Sequence, residues 1–213
     1  MKTSLPYLYL ITDRHQVKKK DQFLETIEEL LRSGIKMIQL REKDLSAAEL
    51  YPLAKSLRTM THYHNSLLLI NDRIDLALAV KADGVHLGHH SLPINVARKI
   101  LGPRFLIGAS THSSAEVKIA TQQGADFVTF GPIYYTPSKA AYGNPVGIEQ
   151  LQQIAAETSI PIYALGGIKE NNTKTTLEAG AHGIAVISAL LTAPSPTKAY
   201  KSLSEPILSA KNK

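Results

Sequence analysis

Thr136, Ser138 and Lys139 place two hydroxyls and an ammonium within four positions of the chain. Such a set can grip a phosphate, because it combines hydroxyl donors with a positive point charge on a flexible stem. The three lie in the stretch Val128–Gly147, which opens in a β-rich run, breaks at Gly131-Pro132 and continues through small, turn-forming residues. A connection that long inside a compact domain is usually functional or disordered. Taken alone, the set reads as well as a solvated loop with an incidental lysine. Its weight depends on the other polar groups of the chain.

Those groups recur in one pattern. Gln39, Arg41 and Lys43 lie in and after the apolar run MIQL, Asn71 and Asp72 after LLLI, and His86, His89, His90 and Ser91 in and after GVHL. Ser110, Thr111 and His112 follow LIGA, Gly166 and Gly167 follow IYAL, and Ile187 and Ser188 close GIAV. Each polar cluster next to an expected strand stands on its C-terminal side, a sorting that residues with no shared task would not show. Arg41, Lys43 and Lys139 supply positive charge. Gly166-Gly167 and Ile187-Ser188 can bring backbone N–H groups against a phosphate. Asp72 beside Asn71 is a candidate Mg2+ ligand, since that ion takes one or two carboxylates plus substrate phosphates, although Asp72 also stands where it could cap a helix. Asp75 and Asp83 read as local helix or turn residues, His86 as a packed histidine, and His15, His62 and His64 as surface residues. The adjacent His89 and His90 face different ways and lack a third zinc ligand.

The elements that must position these groups alternate regularly. Apolar runs at Leu8–Thr12, Met37–Leu40, Leu67–Ile70, Gly84–Leu87, Leu106–Ala109, Phe127–Phe130, Ile162–Leu165 and Gly183–Ile187 predict eight buried strands. Helical spacing follows each: 21–33 stopped by Gly34, a helix from Ser46 with the capping pair Ser46/Glu49, 73–80, 93–101, 114–123, 148–158, 172–179, and a last helix from about Pro196. A weak repeat, KADGVHL, GADFVTF and GAHGIAV, marks three of the strand starts. Eight βα units in about 200 residues predict a single compact (β/α)8 TIM barrel of class α/β, whose site gathers at the C-terminal ends of the strands. A doubly wound open sheet is the alternative, but LITDRHQ after the first strand lacks its glycine fingerprint.

The bulk numbers agree. The 213 residues suit one domain over 1–213, with a polar tail expected from about 204. With 44% hydrophobic and 20% charged residues the chain reads as soluble and globular. No apolar run is long enough to span a bilayer, and the first residues, MKTSLPYLYLITDR, lack a signal peptide's apolar segment. The absence of cysteine removes disulfides and thiolate chemistry and fits a cytoplasmic location. Part of the net charge of +6 sits in Lys18, Lys19, Lys20, Lys211 and Lys213. With few aromatics and no tryptophan, an anionic small-molecule substrate explains the excess better than nucleic acid.

The ordered set QLREK, NDR, ADGVHLG, GASTH, GPIYYTPSK, GGI and VISA resembles thiamine phosphate synthases and their sister group, the thiazole tautomerases, over roughly Leu8 to Leu191. The resemblance implies a transferase of thiamine biosynthesis that couples a pyrimidine-methyl diphosphate to a thiazole phosphate and releases diphosphate. It implies a pyrimidine diphosphate site from Gln39, Arg41, Lys43, Asn71, Ser110 and Lys139, with Lys43, Ser110 and Lys139 among the catalytic groups. Thr136, Ser138, Gly167, Ile187 and Ser188 would hold the thiazole phosphate, and Asp72 a Mg2+ ion. A homodimer is compatible with it. One position departs from the synthase pattern: Ser91 stands where a second Mg2+-binding Asp is expected. The sister activity, a metal-independent tautomerase with His112 as acid/base, is the alternative, and a non-catalytic thiazole-phosphate-binding regulator a remote one. The retained Lys43, Asn71-Asp72 and GPIYYTPSK favour the synthase.

Overall fold

Eight apolar strands alternate with helices in the computed structural model, which describes residues 5–17, 22–137 and 144–211. The elements run β1 (Leu8–Ile11), α1 (Phe23–Ser33), β2 (Met37–Leu40), α2 (Ala47–Tyr63), β3 (Leu67–Asn71), α3 (Ile74–Ala79), β4 (Gly84–Leu87) and α4 (Ile94–Leu101). They continue β5 (Leu106–Thr111), α5 (Ser114–Gln122), β6 (Phe127–Phe130), α6 (Ile148–Glu157), β7 (Ile162–Leu165), α7 (Glu170–Glu178), β8 (Gly183–Val186), α8 (Ser188–Leu191) and α9 (Pro196–Lys211). All strand pairs are parallel, and β1 pairs with β8, so the sheet closes into the expected (β/α)8 barrel.

Closure divides the apolar residues into two layers. Alternate strand residues such as Leu10, Ile38, Ile70, Val85, Ile107, Val128 and Ile184 face outward and pack under the helices. The intervening set, Tyr9, Ile11, Met37, Leu69, Phe127, Tyr163 and Ala185, fills the interior. Because both faces are covered, the strands show no polar alternation in sequence. Space inside is tight: a Cβ on Gly108 would lie 2.3 Å from the Phe127 ring and 2.6 Å from His86 Nδ1. The helix signals act as their chemistry requires. The Ser46 hydroxyl accepts from Glu49 N–H while Glu49 Oε2 accepts from Ser46 N–H, and Gly34 ends α1 at φ +114°.

Several elements differ from the sequence reading. β5 runs on to Thr111 and β3 to Asn71, because the ladders continue through Ser110↔Thr129 and Asn71↔His86. This moves Ser110 and Asn71 from loops onto strands. α7 begins at Glu170, where Lys169 N–H donates to Asn172 Oδ1. A single-turn helix, α8, follows β8 directly. The polar tail expected from about 204 is instead the outer face of α9, which buries Leu203 and Ile207 to 3% exposure.

The repeat has a structural task. Asp83, before β4, accepts from Leu68 N–H and from Arg58 Nη1 at 2.8 and 2.7 Å. Asp126, before β6, does the same with Ile107 N–H and Arg98 Nη2 at 2.8 and 2.5 Å. In the third copy His182 Nε2 meets the Leu5 carbonyl. These residues tie neighbouring strands at the N-terminal end of the barrel, the end associated with stability in this fold. Replacing Asp126 with Ala removes the counter-charge of Arg98, leaving the guanidinium on backbone carbonyls alone, and takes the acceptor from a strand N–H. It should lower unfolding free energy by roughly 2–4 kcal/mol in a denaturant titration, with ligand affinity at the opposite end unchanged.

Candidate active site

At the C-terminal end the interior turns polar, and its centre is His86. Tyr9 Oη accepts from Gln39 Nε2 at 2.8 Å and lies 3.3 Å from His86 Nδ1. On the other side of the ring, His86 Nε2 lies 3.0 Å from Ser110 Oγ and 3.4 Å from Thr129 Oγ1. The buried phenol has one proton, and only His86 Nδ1 can accept it. Nδ1 is therefore the acceptor, and Nε2–H donates to Ser110. The Ser110 hydroxyl proton is then not needed by His86. Burial, reinforced by the positive charge of Arg41, pushes the His86 pKa down to about 3, so the ring is neutral. Burial also raises the Tyr9 phenol well above its usual range.

The strand register gathers the neighbouring positions. Gln39 pairs with Leu69, which places Arg41 beside Asn71, and Asn71 pairs with His86. Arg41 shares Gln39's side of the strand and is half-buried, whereas Lys43 is exposed. Asp72 is exposed, adopts a left-handed φ of 63°, and donates its N–H to the His86 carbonyl at 2.9 Å. Non-glycine residues hold that conformation at some energetic cost, and such positions cluster at functional sites.

On the other half of the rim the loops after β6 and β7 interlock. Ile133 N–H donates to the Leu165 carbonyl at 2.9 Å and Tyr134 N–H to Gly166 at 3.0 Å. Gly167, at φ +66°, is fixed by this approach, since a Cβ there would lie 2.7 Å from both Tyr134 Cβ and the Tyr135 carbonyl. Leu165 pairs with Ala185, so Gly167 and Ile187 stand side by side at the rim, with Ser188 exposed at the start of α8. Thr136 is half-buried in the same β6 loop. His112 Nδ1 sits 2.5 Å from the Gly131 carbonyl and pins the start of that loop. Ser138 and Lys139 lie outside the described residues.

The structure thus brings Gln39, Arg41, Asn71, Asp72 and Ser110 around one histidine. Gly167, Ile187 and Ser188 stand together on the facing strands. Two residues carry more than the sequence showed. His86 was readable only as a packed histidine, because nothing local reveals its contacts with three other strands. Glu42, between two basic residues in sequence, is buried and turned away from Arg41 toward Thr12 and Arg14. Ser91 closes a local turn, its hydroxyl accepting from Gly88 N–H at 2.8 Å. Among the described residues no three or more His, Cys, Asp or Glu side chains are grouped to hold a metal. None of their helices is long and apolar enough to cross a membrane.

Known proteins are similar to this chain in sequence and fold. The family profile described as thiamine monophosphate synthase matches residues 8–190. The chain belongs to the thiamine monophosphate synthase family. A relative from Geobacter sulfurreducens is 53% identical over 196 residues, 92% of each chain. The thiamine-phosphate synthase of Alkaliphilus oremlandii is 41% identical over 196 residues, 92% of this chain and 93% of its own. The solved thiamine phosphate pyrophosphorylase from Pyrococcus furiosus superposes with a TM-score of 0.86 at 38% identity, covering 95% of this chain and 96% of that one.

In this member of the thiamine monophosphate synthase family the interior histidine makes the protein acid-sensitive. An unfolded imidazole takes up a proton near pH 6.5, whereas the native ring does not until about pH 3. Between those values the unfolded state binds more protons, so stability falls as pH falls, by up to about 1.4 kcal/mol per pH unit. His86→Gln should flatten that slope below pH 6.5 relative to wild type, as read by denaturant titrations at pH 4.5, 5.5 and 7.

Proposed function

We propose that this protein is a thiamine phosphate synthase, joining a pyrimidine-methyl diphosphate to a thiazole phosphate with release of diphosphate. The observation that carries the reading is the placement of Arg41 just after β2, Asn71 on β3 and Ser110 on β5 around a neutral His86 on β4. It gives one half of the rim a cation, an amide and a hydroxyl, the donors that a departing diphosphate needs. In the coupling step the methylene C–O bond breaks and its electron pair leaves with the diphosphate. The thiazole nitrogen then forms the new C–N bond to the pyrimidine-stabilised cation.

Each residue has a role in this reading. Arg41 and Lys43 attract and orient the diphosphate, with Lys139 as the expected third cation. Ser110, its oxygen already accepting from His86, donates its proton to a diphosphate oxygen as charge develops there. Gln39 and Asn71 fix the pyrimidine end. Gly167 and the Ile187-Ser188 turn offer backbone N–H groups to the thiazole phosphate, together with Thr136 and Ser138. His112 holds the β6 loop through Gly131.

The donor set fits Mg2+ through one protein carboxylate, Asp72, with diphosphate oxygens and water completing the shell. When bound, the ion would neutralise charge on the leaving diphosphate. Ser91 adds no charge, and its hydroxyl is engaged by Gly88 N–H.

Incubation with both phosphorylated precursors and Mg2+ should yield thiamine phosphate. Thiazole isomerisation without coupling would overturn the reading in favour of a tautomerase, and ligand binding without turnover would favour a regulator. Ser110→Ala removes a donor that acts as the bond breaks. It should lower kcat about a hundredfold with KM changed far less. Ser91→Asp adds a second carboxylate and should tighten Mn2+ binding in the presence of inorganic diphosphate, measured by the loss of the free Mn2+ signal in electron paramagnetic resonance. An unchanged titration would place position 91 away from the ion.

A further inference from the structure

Glu42 is the one Asp, Glu, Lys or Arg residue that is buried among the described residues, with a side chain only 1% exposed. A carboxylate held that far from water is costly unless its oxygens are met by donors. They are met fully, by the segment that follows β1. Glu42 Oε1 accepts from Thr12 Oγ1 at 2.6 Å, and both oxygens accept from Arg14 N–H, at 3.2 and 3.0 Å. Arg14 Nη1 adds a charged donor at 3.2 Å. The same guanidinium forks onto Asp44 at 2.6 and 2.5 Å, and His15 Nε2 reaches Asp44 at 3.0 Å.

Two consequences reach the rim. Because the Thr12 proton is committed to Glu42, the Thr12 oxygen turns a lone pair to Arg41 N–H, at 2.9 Å. The backbone of Arg41 is thereby anchored to the residue after β1, two residues beyond the point where Thr12 N–H meets the Gln39 carbonyl at 2.9 Å. The charge of Glu42 is also spent on Arg14. Glu42 lies between Arg41 and Lys43 in sequence, yet among the described residues no carboxylate pairs with either.

We propose that Glu42 is a positioning residue for the anion site. Through Thr12 it fixes the backbone of Arg41, and by pairing with Arg14 it withholds its own charge from Arg41 and Lys43. The proposal rests on the reading of this rim as a diphosphate site.

A double-mutant cycle tests it, read by calorimetric binding of inorganic diphosphate in Mg2+ buffer to the full chain. Arg41→Ala should weaken binding, and Thr12→Val should weaken it about tenfold. The double variant should bind no more weakly than Arg41→Ala alone, because the threonine acts through the arginine. Thr12→Ser keeps the hydroxyl and should bind within twofold of wild type. If Thr12→Val does not fold, Glu42→Gln replaces it in the same cycle, with the same non-additivity expected. Losses that multiply with Arg41→Ala, Thr12→Val binding within twofold of wild type, or an equal loss in Thr12→Ser would each overturn the clamp while leaving the diphosphate site standing. Absence of diphosphate binding by the wild type, or unchanged binding in Arg41→Ala, would overturn the site reading and the clamp with it.

Discussion

A single uncharged imidazole joins most of the barrel. His86 stands on β4 and is linked through Tyr9 to β1 and β2, and directly to Ser110 on β5 and Thr129 on β6. Its backbone pairs with Asn71 on β3 and accepts Asp72 N–H. The ring works only if it stays neutral, since a charged ring would lose Nδ1 as an acceptor and leave the Tyr9 proton without a partner. Burial enforces that neutrality, and the nearby Arg41 strengthens it. The residue that fixes Ser110 is thus itself fixed by the low dielectric of the barrel interior. Chemistry at the rim and packing below it are one network.

Charge at the rim is arranged by subtraction. The stretch Arg41-Glu42-Lys43-Asp44 is neutral in sequence. Folding turns Glu42 inward beneath the β1 loop and pairs Asp44 with Arg14 and His15. The two acidic residues are bound to one external arginine, and neither basic residue forms an ion pair among the described residues. The carboxyl of Asp44 is held well below its usual range by the Arg14 guanidinium, and the Arg14 pKa is raised in turn, chiefly by Asp44. An anion therefore meets positive potential that the linear sequence hides.

The strand–helix alternation was legible because a parallel barrel covered on both faces leaves a period too coarse to miss: one apolar run, then one helical stripe, eight times over. The location of the polar residues was legible because they follow the apolar runs, and the C-terminal strand ends are one of the two edges that such runs share. What sequence could not show was direction. Ser110 and Asn71 read as loop residues because their polarity ended the apolar runs, whereas backbone pairing carries both onto strands pointing inward. Glu42 read as an equal of its neighbours because alternation along an extended backbone says that Arg41 and Glu42 diverge, not which of them enters the mouth. The tail after 204 read as polar because Leu203 and Ile207 are four apart, a helical spacing too sparse to stand out against serines and lysines.

The two ends of the barrel divide the work. At the N-terminal end, Asp83 with Arg58 and Asp126 with Arg98 each bind a strand N–H and a helix cation at once, so the charges of these two pairs are matched locally. At the C-terminal end, matching stops short. Arg41 and Lys43 form no ion pair among the described residues, and Asp72, whose charge is felt by Arg73, adopts a conformation that costs energy. Such a rim is less stable than a fully paired one, and the surplus pairing at the far end offsets it without touching the site. Selection can then tune the loops after the strands for ligand chemistry while the repeat beneath them keeps the barrel closed.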